Sequence, residues 1–255
     1  MEREHLDRIE RERAFHNQAH ETDPRLPIRK YFEINAECDE YFLSRIREFC
    51  PGHSVLDYGC GDGRQSCMIA QAGARSIIGI DISDAAIDRA TRLGIPNAQF
   101  FRMDAEQLEF PDSCFDVVLG VAILHHLNFS KALSEICRVL KKDGVAAFLE
   151  PLGHNPAINL YRRMTPSMRT KDEHPLLMSD IREMHRYFAS VEFRPFNLTT
   201  LGCVYAKPLV GVARKVDRVL FKIPGLARFA WLAVLTLRNP QHESAGTPSP
   251  GEREA

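Results

Sequence analysis

Three glycines at alternating positions, Gly59, Gly61 and Gly63, follow a short apolar run and stand just past a carboxylate, Asp57. Glycine admits left-handed backbone and lets the main chain approach a ligand with no Cβ in the way. A helix over 64–72 would then aim free N–H groups and its positive end at that ligand. A dinucleotide site of the form G-x-G-x-x-G needs its third glycine at position 64, where this chain has Arg64. The spacing Asp57-x-Gly59-x-Gly61-x-Gly63 instead suits a ligand that carries an amino group. Further carboxylates lie near the ends of later apolar runs, at Asp81 and Asp104, and near the start of another, at Asp116, and imidazoles stand at His125, His126 and His154. An unperturbed imidazole titrates near pH 6.5, which fits it for general-base work.

The elements around these residues alternate strictly. Apolar runs at 54–58, 76–81, 98–103, 115–121 and 145–149 read as strands. The stretches 64–72, 84–93 and 129–142 between them read as helices, with Ser83 or Asp84 placed to cap the second and Gly144 to end the third in a left-handed cap. Strands apolar on both faces and separated by helices predict a parallel sheet covered on both sides. A helix is also expected over 36–49, from Tyr41, Phe42, Leu43, Ile46 and Phe49 at helical spacing. Residues 1–30, with seven acids and seven bases, read as a polar helix or arm that orders on a ligand. After Glu150 the pattern breaks. Pro151, Pro156, Pro166 and Pro175 mark an irregular insertion, followed by a helix over 179–188 and closing antiparallel strands at 191–196 and 201–205. The segment 243–255, rich in Ser, Gly, Pro and Glu, reads as disordered.

At this point a family resemblance is explicit. Asp57 to Gly63 resembles the first motif of class I S-adenosylmethionine-dependent methyltransferases. Gly79-Ile80-Asp81-Ile82-Ser83 resembles their second-strand acid, and Met103-Asp104-Ala105 their third-strand acid. The run from Phe115-Asp116 to His125-His126-Leu127 resembles the fourth-strand segment of the methyltransferase-11 type. The resemblance implies a Rossmann-like α/β fold with a mostly parallel seven-stranded sheet and S-adenosylmethionine as cofactor. It also implies roles. Asp57 with the Gly59 and Gly61 backbone would hold the methionyl end, and Asp81 the ribose hydroxyls. Ile82 would pack on the adenine, Asp104 and the Ala105 N–H would meet its edge, and Val121 would lie beside the sulfonium. Asp116 reads as a turn-ordering residue. Of the histidines past the fourth strand, His126 is preferred to His125 as a base, with His154 as rival; each could equally be a cap or a packing residue.

The domains expected are an N-terminal helical cap (1–50), a cofactor-binding domain (51–207) with an acceptor-site insertion at 151–188, a basic amphipathic tail (208–240) and a disordered end (241–255). Arg162, Arg163 and Arg169 could serve a carboxylate or phosphate in the insertion, or simply face solvent. In the tail, Leu209, Val212, Val216, Val219 or Leu220, and Ile223 fall at helical spacing beside Arg214, Arg218 and Lys222. With the apolar run around Trp231, this points to peripheral membrane association through 209–238 or to packing on the fold or a partner. The run 229–237 is too short to span a bilayer.

Lys+Arg number 33 against 34 Asp+Glu, so no nucleic-acid partner is expected. Seven scattered cysteines without C-x-x-C spacing argue against a zinc site or disulfide framework. No metal is expected: Gly120, Val121 and Ala122 stand where metal-assisted catechol-type enzymes have acids. The chemistry expected is metal-independent O-methylation of a small or lipid-like metabolite in the cytoplasm. N- or C-methylation, or cofactor binding without catalysis, are the alternatives. The sequence leaves the oligomeric state open.

Overall fold

The computed structural model describes residues 2–22, 32–166, 170 and 172–241. Seven strands build one sheet: β1 (Ser54–Tyr58), β2 (Ser76–Asp81), β3 (Ala98–Arg102), β4 (Phe115–Val121), β5 (Leu140–Pro151), β6 (Phe188–Phe196) and β7 (Leu232–Pro240). Their order is β3-β2-β1-β4-β5-β7-β6. The first five are parallel, and β7 lies antiparallel between β5 and β6. Eight helices accompany them among the described residues: α1 (Glu2–Thr22), α2 (Phe32–Phe49), α3 (Arg64–Gln71), α4 (Asp84–Arg92), α5 (Phe129–Val139), α6 (Pro156–Met164), α7 (Met178–Met184) and α8 (Val210–Leu220). This is the Rossmann-like α/β architecture that the alternating pattern and the resemblance imply.

Successive strand residues feed opposite cores. Leu56, Val118, Phe148 and Leu235 pack on one face of the sheet, with Leu133 and Ile136 of α5. Val55, Val117, Ala147 and Val234 pack on the other, with Phe42 and Ile46 of α2 and Ile69 of α3. Each such side chain contributes about 1.5–3 kcal/mol by leaving water, and burial on both faces explains why these strands read as continuous apolar runs. Asp116, expected to order a turn, lies within β4 and ties its start to β1 and β5. Its carboxylate accepts from Ser54 N at 2.9 Å and pairs with Lys141 at 2.7 Å; partial burial raises its carboxyl, but Lys141 and the Ser54 donors together bring it down to about 2.

The C-terminal third corrects the sequence reading. Residues 232–240 belong to no helical tail; they form β7 inside the sheet. A short apolar run cannot by itself be told as strand or helix, and here both of its faces are buried. Residues 200–205 form 3-10 turns where a strand is expected; α8 and the segment after it then lead into β7. Gly144 is not left-handed: α5 ends at Val139, and 140–144 already belong to β5. The expected helix at 179–188 is the shorter α7. Arg169 and the segment 243–255 lie outside the described residues.

Candidate active site

The strand order reverses between β1 and β4, and in open α/β sheets ligands bind in the crevice at that switch point. Gly59, Gly61 and Gly63 have φ of +76°, +52° and +81°, in the region that side chains rarely adopt. A Cβ at Gly59 would lie 2.9 Å from Ile123, past β4, and one at Gly63 would lie 2.9 Å from Leu93, beside α4. The β1 turn therefore packs with no room for side chains against both neighbours.

Asp57 is fully buried under this turn. Its two oxygens accept from Gln65 Nε2 (2.8 Å) and Ser66 Oγ (2.5 Å) of α3. Burial, reinforced by the nearby Asp81 charge, pushes its carboxyl up to about 7, against these two donors. Asp57 thus anchors the turn to α3 from beneath. Asp81 ends β2 half-buried and is held by main-chain donors, Gly61 N at 3.0 Å and Ser83 N at 2.9 Å. Those bonds set its carboxylate beside the glycine turn. Ile82 follows, also half-buried. Past β3, Asp104 accepts from Glu106 N at 2.9 Å, and the Ala105 carbonyl accepts from the fully buried Tyr58 hydroxyl. Val121 ends β4 with 39% of its surface exposed, and Ala122 next to it has a left-handed φ of +53°. Such strain persists only where neighbours impose it.

One of those neighbours is Glu150. Fully buried in β5, it accepts from Ile123 N and Leu124 N, both at 2.8 Å, through one oxygen. Its other oxygen lies 2.8 Å from His125 Nδ1. A carboxylate accepts only, so Nδ1–H donates, and the neutral imidazole in this tautomer carries its lone pair on Nε2. His126 instead meets α1, with Nδ1 3.2 Å from Glu12 Oε2. His154 stands apart from this pair, where its Nε2 accepts from Met178 N at 3.1 Å and supports the start of α7.

Helix α1 straps this end of the sheet, turning the N-terminal polar stretch into part of the site. Arg13 pairs with Asp84. Arg8 donates to the His126 carbonyl at 2.9 Å and pairs with Glu106. Asn17 accepts from Ser83 Oγ at 2.6 Å, and Arg11 pairs with Asp172 of the insertion at 3.0 Å. His16 lies 3.4 Å from Glu12. Burial works against charge on both, yet His126 and His16 hold Glu12 far below the carboxylate range, and Glu12 with Asp81 raises His16. Burial depresses the His126 imidazole despite Glu12, with His125 and His16 adding to the effect. The insertion is tied in by His174 N, which donates to the His125 carbonyl at 2.6 Å. Arg162 is engaged by the Leu152 carbonyl at 3.0 Å, while Arg163 is exposed. Glu12, His16 and Asn17 escaped the sequence reading, although the Glu12-x-x-x-His16 spacing puts two polar groups on one helix face.

Asp81 and Asp104 at the ends of the adjacent parallel strands β2 and β3, beside a glycine turn with no room for side chains, fit a ligand that offers hydroxyl and amine donors. The fold and the motifs are those of class I S-adenosylmethionine-dependent methyltransferases, and the residues at the turn fit S-adenosylmethionine as cofactor. A family model described as a methyltransferase domain, of the methyltransferase-11 type, matches residues 56–148. The phthiotriol/phenolphthiotriol dimycocerosates methyltransferase 1 of Mycobacterium ulcerans is 33% identical over 145 residues, 54% of this chain and 53% of that protein. The 2-methyl-6-phytyl-1,4-hydroquinone methyltransferase of Synechocystis is 40% identical over 98 residues, 37% of this chain and 31% of that one. The chain therefore spans about half the length, or less, of these curated relatives. In fold it is similar to the Haemonchus contortus phosphoethanolamine N-methyltransferase 2 in complex with phosphomonomethylethanolamine and S-adenosylhomocysteine. That likeness has a TM-score of 0.64 at 17% identity, over 90% of this chain and 60% of that one.

Proposed function

We propose that the protein transfers the methyl group of S-adenosylmethionine to a hydroxyl oxygen of a small, lipid-like acceptor. The observation that carries this is the His125–Glu150 pair just past β4, at the strand end where the resemblance puts the sulfonium. S-adenosylmethionine, when bound, supplies an electrophilic methyl group for in-line displacement, so alignment carries much of the rate. Asp81 would accept from the ribose hydroxyls, Ile82 would cover the adenine, and Asp104 and the Ala105 N–H would read its edge. The Gly59 and Gly61 backbone would seat the methionyl end, with Asp57 holding the turn in shape. Val121 would floor the methyl position.

His125 Nε2 would take the acceptor's proton, since Glu150 fixes its tautomer and ring plane from a buried position. This assigns the base to His125 in preference to His126, which is engaged with α1, and to His154, which supports α7. The displacement itself needs no metal. Both curated relatives carry lipid-like acceptors in their names, which favours an acceptor of that class here. An apolar face on α8 supports the same reading, since it could bring the protein to membrane-borne acceptors. Arg163, exposed on α6, is one cation of the insertion that could meet an acidic acceptor group.

The test is incubation of the purified protein with methyl-labelled cofactor and a fractionated lipid and metabolite extract, followed by mass spectrometry. A labelled methyl ether is the expected product. Label on nitrogen or carbon would replace the acceptor atom. Cofactor binding with no label transferred to any fraction would favour the alternative, a binding protein without catalysis.

A further inference from the structure

Side chains that bind metals readily meet beneath α1, and the proposed transfer uses His125 alone among them. Glu12 and His16 sit one turn apart on α1, so they leave the same helix face. Glu12 Oε2 lies 3.4 Å from His16 Nε2 and 3.2 Å from His126 Nδ1. Glu12, His16 and His126 each offer a ligand atom within 4.8 Å of the other two, and a second triplet, His125, His126 and Glu173, meets the same limit through the shared His126. A tetrahedral ion with bonds of about 2.1 Å to nitrogen and oxygen sets its ligand atoms about 3.4 Å apart. Two edges of the first triplet already have that length.

The directions point the same way. Among the described residues, neither Glu12 oxygen nor His126 Nδ1 makes a well-directed hydrogen bond, although all three atoms are buried. Buried polar atoms ordinarily do make one. Close approach without hydrogen-bond direction is what ligands of a shared ion show. We propose that Glu12, His16 and His126 bind one divalent first-row metal ion, with Glu173 beside the same cluster, and that the ion pins α1 across the end of the sheet. Two imidazoles and a carboxylate, with no thiolate, suit Zn²⁺, Co²⁺, Fe²⁺ or Mn²⁺. The role is structural. It stands apart from the transfer reading, because a chain that methylates nothing could still bind the ion.

The full-length protein, stripped with a chelator, is dialysed against micromolar Zn²⁺ or Co²⁺, and bound metal is counted by elemental analysis. Expected are one ion per chain, a visible Co²⁺ absorption of four- or five-coordinate type, and slower proteolysis within α1 when metal is present. Glu12→Gln and His16→Ala should each weaken retention tenfold or more while circular dichroism stays unchanged; His154→Ala should leave retention as it is. Failure to retain an ion at micromolar free metal overturns the proposal, as does retention unchanged in His16→Ala.

Discussion

At the residue scale, main-chain geometry decides more than charge. Asp81 accepts from Gly61 N with one oxygen and from Ser83 N with the other, so it shapes the glycine turn as well as standing in the proposed cofactor site. Asp81→Asn removes the charge and sets its amide NH2 against one of these two main-chain donors. It should lower S-adenosylmethionine affinity by roughly 1.5–3 kcal/mol, the scale of a hydrogen bond to a charged group; calorimetry on the folded variant checks it, and unchanged affinity would remove Asp81 from the cofactor site. Glu150 differs, because it satisfies two buried N–H groups as well as His125. Glu150→Ala should therefore cost stability, about 1–3 kcal/mol for each donor left unpaired, alongside activity. His125→Ala should cut kcat about 10²-fold with cofactor affinity little changed, and His126→Ala should cut it less; a reversed ranking in steady-state assays would return the base to His126. Asp57 carries a pH signature. A carboxyl raised from 3.8 to about 7 binds its proton more tightly when folded, so the stability it contributes is lost as pH climbs through that window. Asp57→Asn should gain in Tm relative to the parent as pH rises from about 4 to about 7, as measured by thermal melts. A constant difference would mean that the carboxyl does not titrate there.

At the scale of elements, what the sequence made legible follows from periodicity. Strands β1, β2, β4 and β5 are largely buried on both faces and bounded by helices, so a local window sees the rule, and the glycine turn and the acids at the ends of β2 and β3 fall where the motifs put them. β7 was illegible for the opposite reason. Its apolar run resembles the apolar residues of α8, and only pairing to β5 and β6, from Val145↔Arg238 to Phe196↔Leu232, identifies it. Helix α1 was half-legible, since its polarity suggests an arm while its partners, Glu106, His126 and Asp84, are distant in sequence. These placements predict contrasting truncations. Ending the chain after residue 241 keeps β7 and should leave a soluble protein. Ending it after residue 231 removes the strand that joins β5 to β6, exposes Phe148 and Phe193, and leaves open sheet edges that invite aggregation. Expression with circular dichroism distinguishes the two, and a soluble, cooperatively folding 1–231 fragment would contradict the place of β7 between β5 and β6.

At the scale of the molecule, one surface stands out by what it exposes. Helix α8 buries Val210 and Asp217 and turns Val212 (61% exposed), Val216 (42%) and Val219 (62%) outward, continued by Leu209 and Ile223. Asp217, the sole acid between 209 and 239, is spent inside the fold, accepting from Leu198 N at 3.0 Å and Thr199 N at 2.7 Å. The outward side of α8 therefore combines apolar groups with Lys215, Arg218 and Lys222, although Arg218 also reaches Glu37 at 2.7 Å. No helix among the described residues is long and apolar enough to cross a membrane. An amphipathic surface helix can instead lie in the interface of an anionic bilayer, where each basic residue contributes about 1 kcal/mol. The expected outcome is co-sedimentation with phosphatidylserine-containing vesicles at low salt, released by high salt and absent with neutral vesicles. Because Val212 and Val219 contribute little to the core, Val212→Glu with Val219→Glu should abolish pelleting and leave the melting temperature and cofactor affinity as they were. If the double variant pellets as the parent does, or neither pellets under any condition, α8 is not a membrane-docking helix. A lipid-like acceptor would then have to reach the site from solution.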